Sequence, residues 1–349
     1  MPIERAYAER LLEWHAKHGR HDLPWQHPRT PYRVWLSEIM LQQTQVSVVL
    51  GYFDRFVAAL PDLPALARAD SDGVLALWSG LGYYSRARNL HAAARLCMDR
   101  HDAALPRDLD ALMALPGIGR STAGAILSQA WGEPAPILDG NVKRVLCRLF
   151  GIAGWPGTPR VEKALWAIAG RLLPQRHLAD YTQAQMDFGA TVCTRSAPAC
   201  GSCPLQHRCI AYSEGRVAEL PSPKPARAMP ERSVHMLVAE DDDGRVLLQR
   251  RPPTGVWASM WSLPEHEHAS QARNWVSRYL HGSVECARPG TPRRHVFSHY
   301  RLDIRPLHVR VTGPRPAVGD NPDLRWARRD ELAGIGLPAP VRRLIEEER

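Results

Sequence analysis

Two sets of residues carry types and spacing suited to chemistry: a pair of carboxylates far apart in the chain, and a short run of thiols. Glu38 lies in Pro31-Tyr-Arg-Val-Trp-Leu-Ser-Glu-Ile-Met-Leu-Gln-Gln-Thr44, with Trp35 and Ile39 beside it at near-helical spacing. A carboxyl among such apolar neighbours is expected to hold a proton above the usual range. Asp139 lies in Pro136-Ile-Leu-Asp-Gly-Asn-Val-Lys-Arg-Val-Leu146, at the start of a helical stretch. There the free N–H groups and the helix dipole favour the ionised form. One acid kept protonated and one kept charged is the division expected of an acid/base pair. Taken alone, each has a plainer account: Glu38 as a surface residue of an amphipathic helix, Asp139 as an ordinary N-cap.

Cys193, Cys200, Cys203 and Cys209 follow a C-x6-C-x2-C-x5-C spacing, whereas Cys97, Cys147 and Cys286 are scattered. Four thiolates in so short a loop suit tetrahedral zinc or a [4Fe–4S] cluster. Only one pair is close enough for a zinc knuckle, and the longer arms suit a loop wrapped around a larger cubane. Seven cysteines in a chain expected to be cytosolic argue against a disulfide scaffold, and an odd number cannot all pair within one chain.

A third motif, Leu115-Pro-Gly-Ile-Gly-Arg-Ser-Thr-Ala-Gly-Ala-Ile-Leu127, ends one helical stretch and opens another. Pro116 stops the first, while Gly117 and Gly119 permit a tight turn and leave backbone N–H groups open to an anion at the next helix N-terminus. Such a turn grips a phosphate without reading sequence.

The cysteine loop behind a helical domain, together with Leu-Pro-Gly-Ile-Gly-Arg, resembles the endonuclease III and MutY superfamily of DNA glycosylases. The segments around Glu38 and Asp139 resemble its adenine-excising MutY branch. That resemblance implies a [4Fe–4S] cluster on Cys193, Cys200, Cys203 and Cys209, a helix-hairpin-helix DNA grip at Gly117, Gly119 and Ser121, and duplex DNA as the partner. It implies that Glu38 protonates the leaving adenine and that Asp139 stabilises the sugar cation, with Asn141 holding the polar network around Asp139. Gln43, Thr44, Leu81 and Tyr83 would probe or intercalate beside the opposite base, and Trp25 and Gln183 match weaker pocket positions. In the bifunctional endonuclease III branch a lysine stands after the hairpin Arg as a Schiff-base nucleophile. Here the position is Ser121, which forms no imine, so the resemblance is to a monofunctional hydrolase.

The elements that must position these groups read as helices joined by short Pro/Gly loops, with stretches at Asp70–Trp78, Arg86–Cys97, Asp108–Leu115, Arg120–Ala130 and Val142–Phe150. Prolines 221, 223, 225 and 230 then interrupt both helix and strand. Beyond them Val234–Glu240 and Arg245–Arg250 read as a hairpin, His295–Val311 as β-like, and Ala269–Leu280 and Pro340–Glu348 as helical. The expected organisation is an all-α glycosylase domain over residues 1–213 with its iron–sulfur loop at 193–209, a Pro-rich linker at 214–232, and an α+β domain over 233–349.

Arg250–Pro264 in this last domain resembles a Nudix fold of the kind that binds oxidised guanine nucleotides. Nudix hydrolysis needs glutamates for Mg²⁺ on the following helix, and Ala269–Leu280 has no Asp or Glu. Recognition rather than hydrolysis is expected, and Phe297, Ser298 and His299, matching the branch's Phe-Ser-His motif, would read 8-oxoguanine opposite adenine.

Composition agrees with this organisation. At 349 residues the chain exceeds one ordinary core, and 44 % hydrophobic with 23 % charged residues excludes a disordered or collagen-like chain. Lys and Arg outnumber Asp and Glu by 45 to 36, a charge of +9 that favours a polyanionic partner. No apolar run is long enough to span a bilayer, and Met1-Pro-Ile-Glu-Arg5 is not followed by a signal-peptide core. The cytosol is the default compartment, and the resemblance implies a monomer acting on 8-oxoguanine·adenine or guanine·adenine mispairs. Its rivals are an endonuclease III-like pyrimidine glycosylase/lyase, a nucleotide-pool Nudix hydrolase with a DNA-binding domain, and a non-catalytic iron–sulfur DNA-binding protein.

Overall fold

The computed structural model describes residues 3–225, 228–279, 283–312 and 321–347. Leu280 and Glu348, the last residues of two expected helices, and Ala226 and Arg227 of the expected linker lie outside them. Two compact units form, one from residues 1–67 and 92–226, the other from 68–91 and 227–349.

The helices are α1 (Ile3–His18), α2 (Pro31–Leu41), α3 (Val46–Ala59), α4 (Leu63–Arg68), α5 (Ser71–Trp78), α6 (Ser85–Arg100), α7 (Leu109–Met113), α8 (Arg120–Trp131), α9 (Gly140–Leu149), α10 (Pro159–Arg171), α11 (Leu178–Thr191) and α12 (Ile210–Ser213). Side chains that accept N–H groups at the first turn explain where several begin: Thr30 caps α2, Asp70 caps α5, Asp108 caps α7 and Asp139 caps α9. In the first unit, α9 and α11 bury Val142, Leu146, Tyr181 and Phe188 against Tyr7 and Leu11 of α1. The rings of Trp14 and Phe188 meet edge-on at 5.4 Å. Glycine lets α11 come close to the start of α9, since a Cβ on Gly189 would lie 2.5 Å from the Asn141 Cβ.

The second unit contains strands β1 (Glu231–Asp241), β2 (Val246–Arg250), β3 (Trp261–Ser262), β4 (Glu265–His266), β5 (Ser283–Pro289), β6 (Arg293–Val296), β7 (Arg301–Thr312) and β8 (Leu324–Ala327), with helices α13 (Ala269–Tyr279) and α14 (Ala339–Glu347). The sheet runs β3-β2-β1-β7-β5, with β4 on β1, β6 on β7 and β8 on β2. β1 and β7 pair in parallel from Glu231↔Arg301 to Asp241↔Val311, and β1 and β2 pair antiparallel as the expected hairpin. Ala272 and Val276 of the acid-free α13 pack on Leu237, Ala239, Val309 and Val311. Among the described residues no helix is long and apolar enough to cross a membrane.

Candidate active site

Helix α2 carries Glu38 on a turn whose neighbours Trp35, Leu36, Ile39 and Met40 are all buried. Gln129 on α8 donates Nε2 to Glu38 Oε1 at 3.0 Å. Burial, then the charge of Asp139, pushes the Glu38 carboxyl from its ordinary 4.5 up to about 7, against the opposing bond from Gln129. Glu38 and Asp139, 101 positions apart in the chain, are thus electrostatically coupled in the fold.

Asp139 is delivered by the extended segment 133–138, which α8 grips with one face. Ser128 Oγ donates to the Glu133 and Ala135 carbonyls at 3.1 and 2.8 Å. Gly124 admits the Pro136 carbonyl, where a Cβ would lie only 2.4 Å away. Ser121 Oγ accepts the Leu138 N–H at 2.9 Å. Positions 121, 124 and 128 follow helical spacing, so a single stripe of small residues fixes the approach to Asp139.

Asp139 Oδ1 accepts the Val142 N–H at 2.7 Å, which makes it the N-cap of α9 as well as a candidate catalyst. The expectation that the helix terminus would hold its pKa low is not met. Burial raises it, outweighing the Val142 and Asn141 N–H groups and the charges of Arg144 and Lys143 that pull it down. Both acids are therefore raised. The Asn141 side chain turns to Arg144, its Oδ1 accepting from Nη2 at 2.8 Å, while its backbone N–H serves Asp139.

In the helical hairpin, Gly117 takes the left-handed conformation at φ 80° and Gly119 is the N-cap of α8. Both are exposed, and a Cβ on Gly119 would meet open space. Gln43, also left-handed at φ 60°, is exposed in the turn after α2, with Thr44 beside it. Leu81 and Tyr83 belong to the second unit; Leu81 is buried, and Tyr83 is 46 % exposed. Trp25 packs edge-on against Phe53 at 5.3 Å, a core position. Gln183 donates to the buried Asp187 at 2.8 Å, and its Oε1 has no hydrogen-bond partner among the described residues.

Cys193, Cys200, Cys203 and Cys209 line one cavity with Arg148, Val192 and Gln206. Burial and then the charges of the other three cysteines push the Cys203 thiol up to about 11. That mutual repulsion is what a bound cationic centre relieves. The four thiols converge on this one cavity, and a set of four cysteine ligands is the kind that holds a metal centre. Arg148, buried at 3 % exposure, braces the loop by donating to Thr194 O at 2.6 Å, Arg195 O at 3.0 Å and Cys193 Sγ at 3.5 Å. Arg144 donates to Cys193 O at 2.8 Å. Sequence reasoning missed Gln129, Arg144 and Arg148. The two arginines, spaced by four on the helix that Asp139 caps, were the available signal.

In the second unit Phe297, Ser298 and His299 form the turn between β6 and β7, closed by the Phe297 N–H on Tyr300 O at 2.9 Å. Ser298 and His299 are exposed. Phe297 sits 5.3 Å from the Trp257 ring and 4.4 Å from the His295 ring.

Comparison with known proteins bears on the family and on the domains. The profile described as HhH-GPD superfamily base excision DNA repair protein matches residues 36–171, and a NUDIX domain profile matches residues 235–347. The chain is 35 % identical to an adenine DNA glycosylase of Buchnera aphidicola subsp. Acyrthosiphon pisum (strain APS), over 97 % of each protein. It is 33 % identical to the adenine DNA glycosylase of Rattus norvegicus, over 99 % of this chain and 78 % of that protein. Among solved structures, a thermostable thymine-DNA glycosylase superposes with a TM-score of 0.56 at 28 % identity, over 60 % of this chain and 97 % of the other. With both profiles matched in order and the likeness running nearly end to end, the chain belongs to the adenine DNA glycosylase family.

Proposed function

We propose that this protein removes adenine from duplex DNA where it is mispaired with 8-oxoguanine or guanine, as the first step of base excision repair. The observation that carries the proposal is the coupled pair: Glu38, held protonated to about pH 7 by burial and by Asp139's charge, and Asp139 at the α9 N-terminus. Breaking an N-glycosidic bond passes through an oxocarbenium-like state, which needs an acid at the departing base and a negative charge at the sugar. Glu38 gives its proton to adenine N7, and Asp139 faces the developing cation with its charge supported by Arg144, Lys143 and two N–H groups. Water then completes the hydrolysis at the sugar. Ser121 is engaged by the Leu138 N–H and offers no amine, so strand cleavage through an imine is not part of the reaction.

Adenine must leave the stack to reach Glu38. Gln43, Thr44, Leu81 and Tyr83 are assigned to the gap and the opposite base, and Phe297, Ser298 and His299 to 8-oxoguanine. Gly117, Gly119 and Ser121 are assigned to the phosphate grip. Cys193, Cys200, Cys203 and Cys209 are assigned to a [4Fe–4S] cluster, which when bound would hold the 193–209 loop and its Arg195 and Arg208 in place for DNA. The protein works as a monomer. Glu38→Gln tests the assignment: duplex binding should persist while adenine release falls by ~100-fold or more, and near-normal release would remove Glu38 from the chemistry.

A further inference from the structure

Two elements assigned above to reading the base opposite adenine, the Gly80–Tyr84 loop and the Phe297–His299 turn, lie in the second unit. A network that contains neither of them ties them together. Asp72, in the first turn of α5, receives Arg250 Nη1 on Oδ1 and Nη2 on Oδ2, both at 2.8 Å. Trp261 Nε1 donates to the same Oδ2 at 3.1 Å, and the Arg250 guanidinium lies over the Trp261 ring at 4.4 Å. At the far end of α5, Ser79 Oγ donates to Leu337 O at 2.9 Å. Backbone packs closely midway, where a Cβ on Gly336 would lie 2.8 Å from Leu75 Cβ. On the other side of the loop, Arg88 of α6 donates to Ala258 O at 2.9 Å, next to the Trp257 whose ring meets Phe297.

The loop itself is stiff. Gly80, Gly82 and Tyr83 hold left-handed conformations at φ 103°, 72° and 47°, and Trp78 Nε1 and Arg86 Nη2 both donate to Gly82 O, at 3.2 and 3.1 Å. A loop so constrained moves with the helices that flank it, so whatever anchors α5 and α6 sets where Tyr83 stands.

We propose that the Asp72–Arg250–Trp261 clamp is a specificity device that holds the Gly80–Tyr84 loop at a fixed spacing from the Phe297–His299 turn, so that both engage the base opposite adenine together. This rests on the adenine-mispair function proposed above. A bidentate fork stacked on an indole fixes orientation as well as distance. Its stabilising energy is small, because the Arg250 and Asp72 side chains are 29 % and 33 % exposed. Its effect therefore falls on selectivity before stability. Asp72, Arg250 and Arg88 act as positioning residues and touch no reacting atom.

The test uses the full chain with Asp72→Asn, Arg250→Gln and the pair, and reads two quantities. Single-turnover adenine release opposite 8-oxoguanine and opposite guanine should show the preference for 8-oxoguanine falling about three- to tenfold in each single variant, with the double no worse than either. Amide hydrogen exchange at Gly80–Tyr84 and Phe297–His299 should rise in both segments together. Arg250→Lys, which keeps the charge without the fork, should lie between wild type and Arg250→Gln, and it serves if Arg250→Gln fails to fold. An unchanged preference, equal slowing on both duplexes, or additive losses in the double variant would overturn the proposal. If the wild type releases no adenine from either duplex, the mispair function fails separately. Exchange alone then decides the clamp, which is refuted if either segment keeps wild-type protection.

Discussion

Gly124→Ala is the smallest change that should misplace Asp139. A Cβ at this position would lie 2.4 Å from the Pro136 carbonyl oxygen, and ordinary contact begins at 3.4 Å, so α8 and the 133–138 segment must part by about 1.0 Å (3.4 − 2.4). The obstructing atom is backbone and cannot swing aside. The segment is held at both ends by Ser128 and Ser121, so the displacement is passed toward Leu138 and the adjoining Asp139. Alanine gains ~1 kcal/mol of helix propensity over glycine, and overpacking costs ~1–3 kcal/mol. These nearly offset, leaving a net destabilisation of ~0–2 kcal/mol. A catalytic group moved by ~1 Å loses ~100-fold in rate. The variant should therefore melt within a few degrees of wild type yet release adenine ~10- to 100-fold more slowly in single turnover. A rate within twofold of wild type, with unchanged melting, would refute the claim that this stripe positions Asp139.

Release should decline as pH rises through about 7, where Glu38 gives up its proton, and Glu38→Gln should lack that limb in its residual activity. The same shift has a stability consequence: the folded state holds the proton that the unfolded chain loses near 4.5, so wild type loses stability between pH 4.5 and 7 relative to Glu38→Gln, and parallel melting curves of the two across this range would contradict it. Phe297→Ala with Ser298→Ala should narrow the preference for 8-oxoguanine over guanine opposite adenine, measured as a ratio of single-turnover rates; an unchanged ratio would remove this turn from lesion reading. Cys203→Ser should lower bound iron and acid-labile sulfide and expose the 193–209 loop to protease, whereas unchanged iron and sulfide would exclude Cys203 as a ligand.

Much of the fold was legible because local signals agreed with it. Asp70 and Asp108 begin helices as caps, and Gly117 adopts the positive φ that its motif requires. The β1–β2 hairpin follows from two β-rich runs around the turn closed by Gly244. The pair Glu38 and Asp139 was legible as residues but not as an electrostatic unit. Sequence shows that Asp139 precedes a helix; only the fold shows that it is buried, and burial overrides the dipole. Residues 68–91 were not separable from the helical run around them, since nothing local reports that Asp72 meets Arg250 from 178 positions away. Gln129 and Arg148 were missed for the same reason: each is an ordinary polar residue of a helix until the fold aims it at Glu38 or at the cysteine loop.

The central claim is tested most directly by strand-specific base release from duplexes carrying adenine opposite 8-oxoguanine, guanine or thymine, with no added metal or soluble cofactor. Free adenine and an intact abasic strand, formed fastest opposite 8-oxoguanine, next opposite guanine and slowest opposite thymine, is the predicted result. No adenine release from any duplex, or pyrimidine release with a borohydride-trapped protein–DNA adduct, would contradict it.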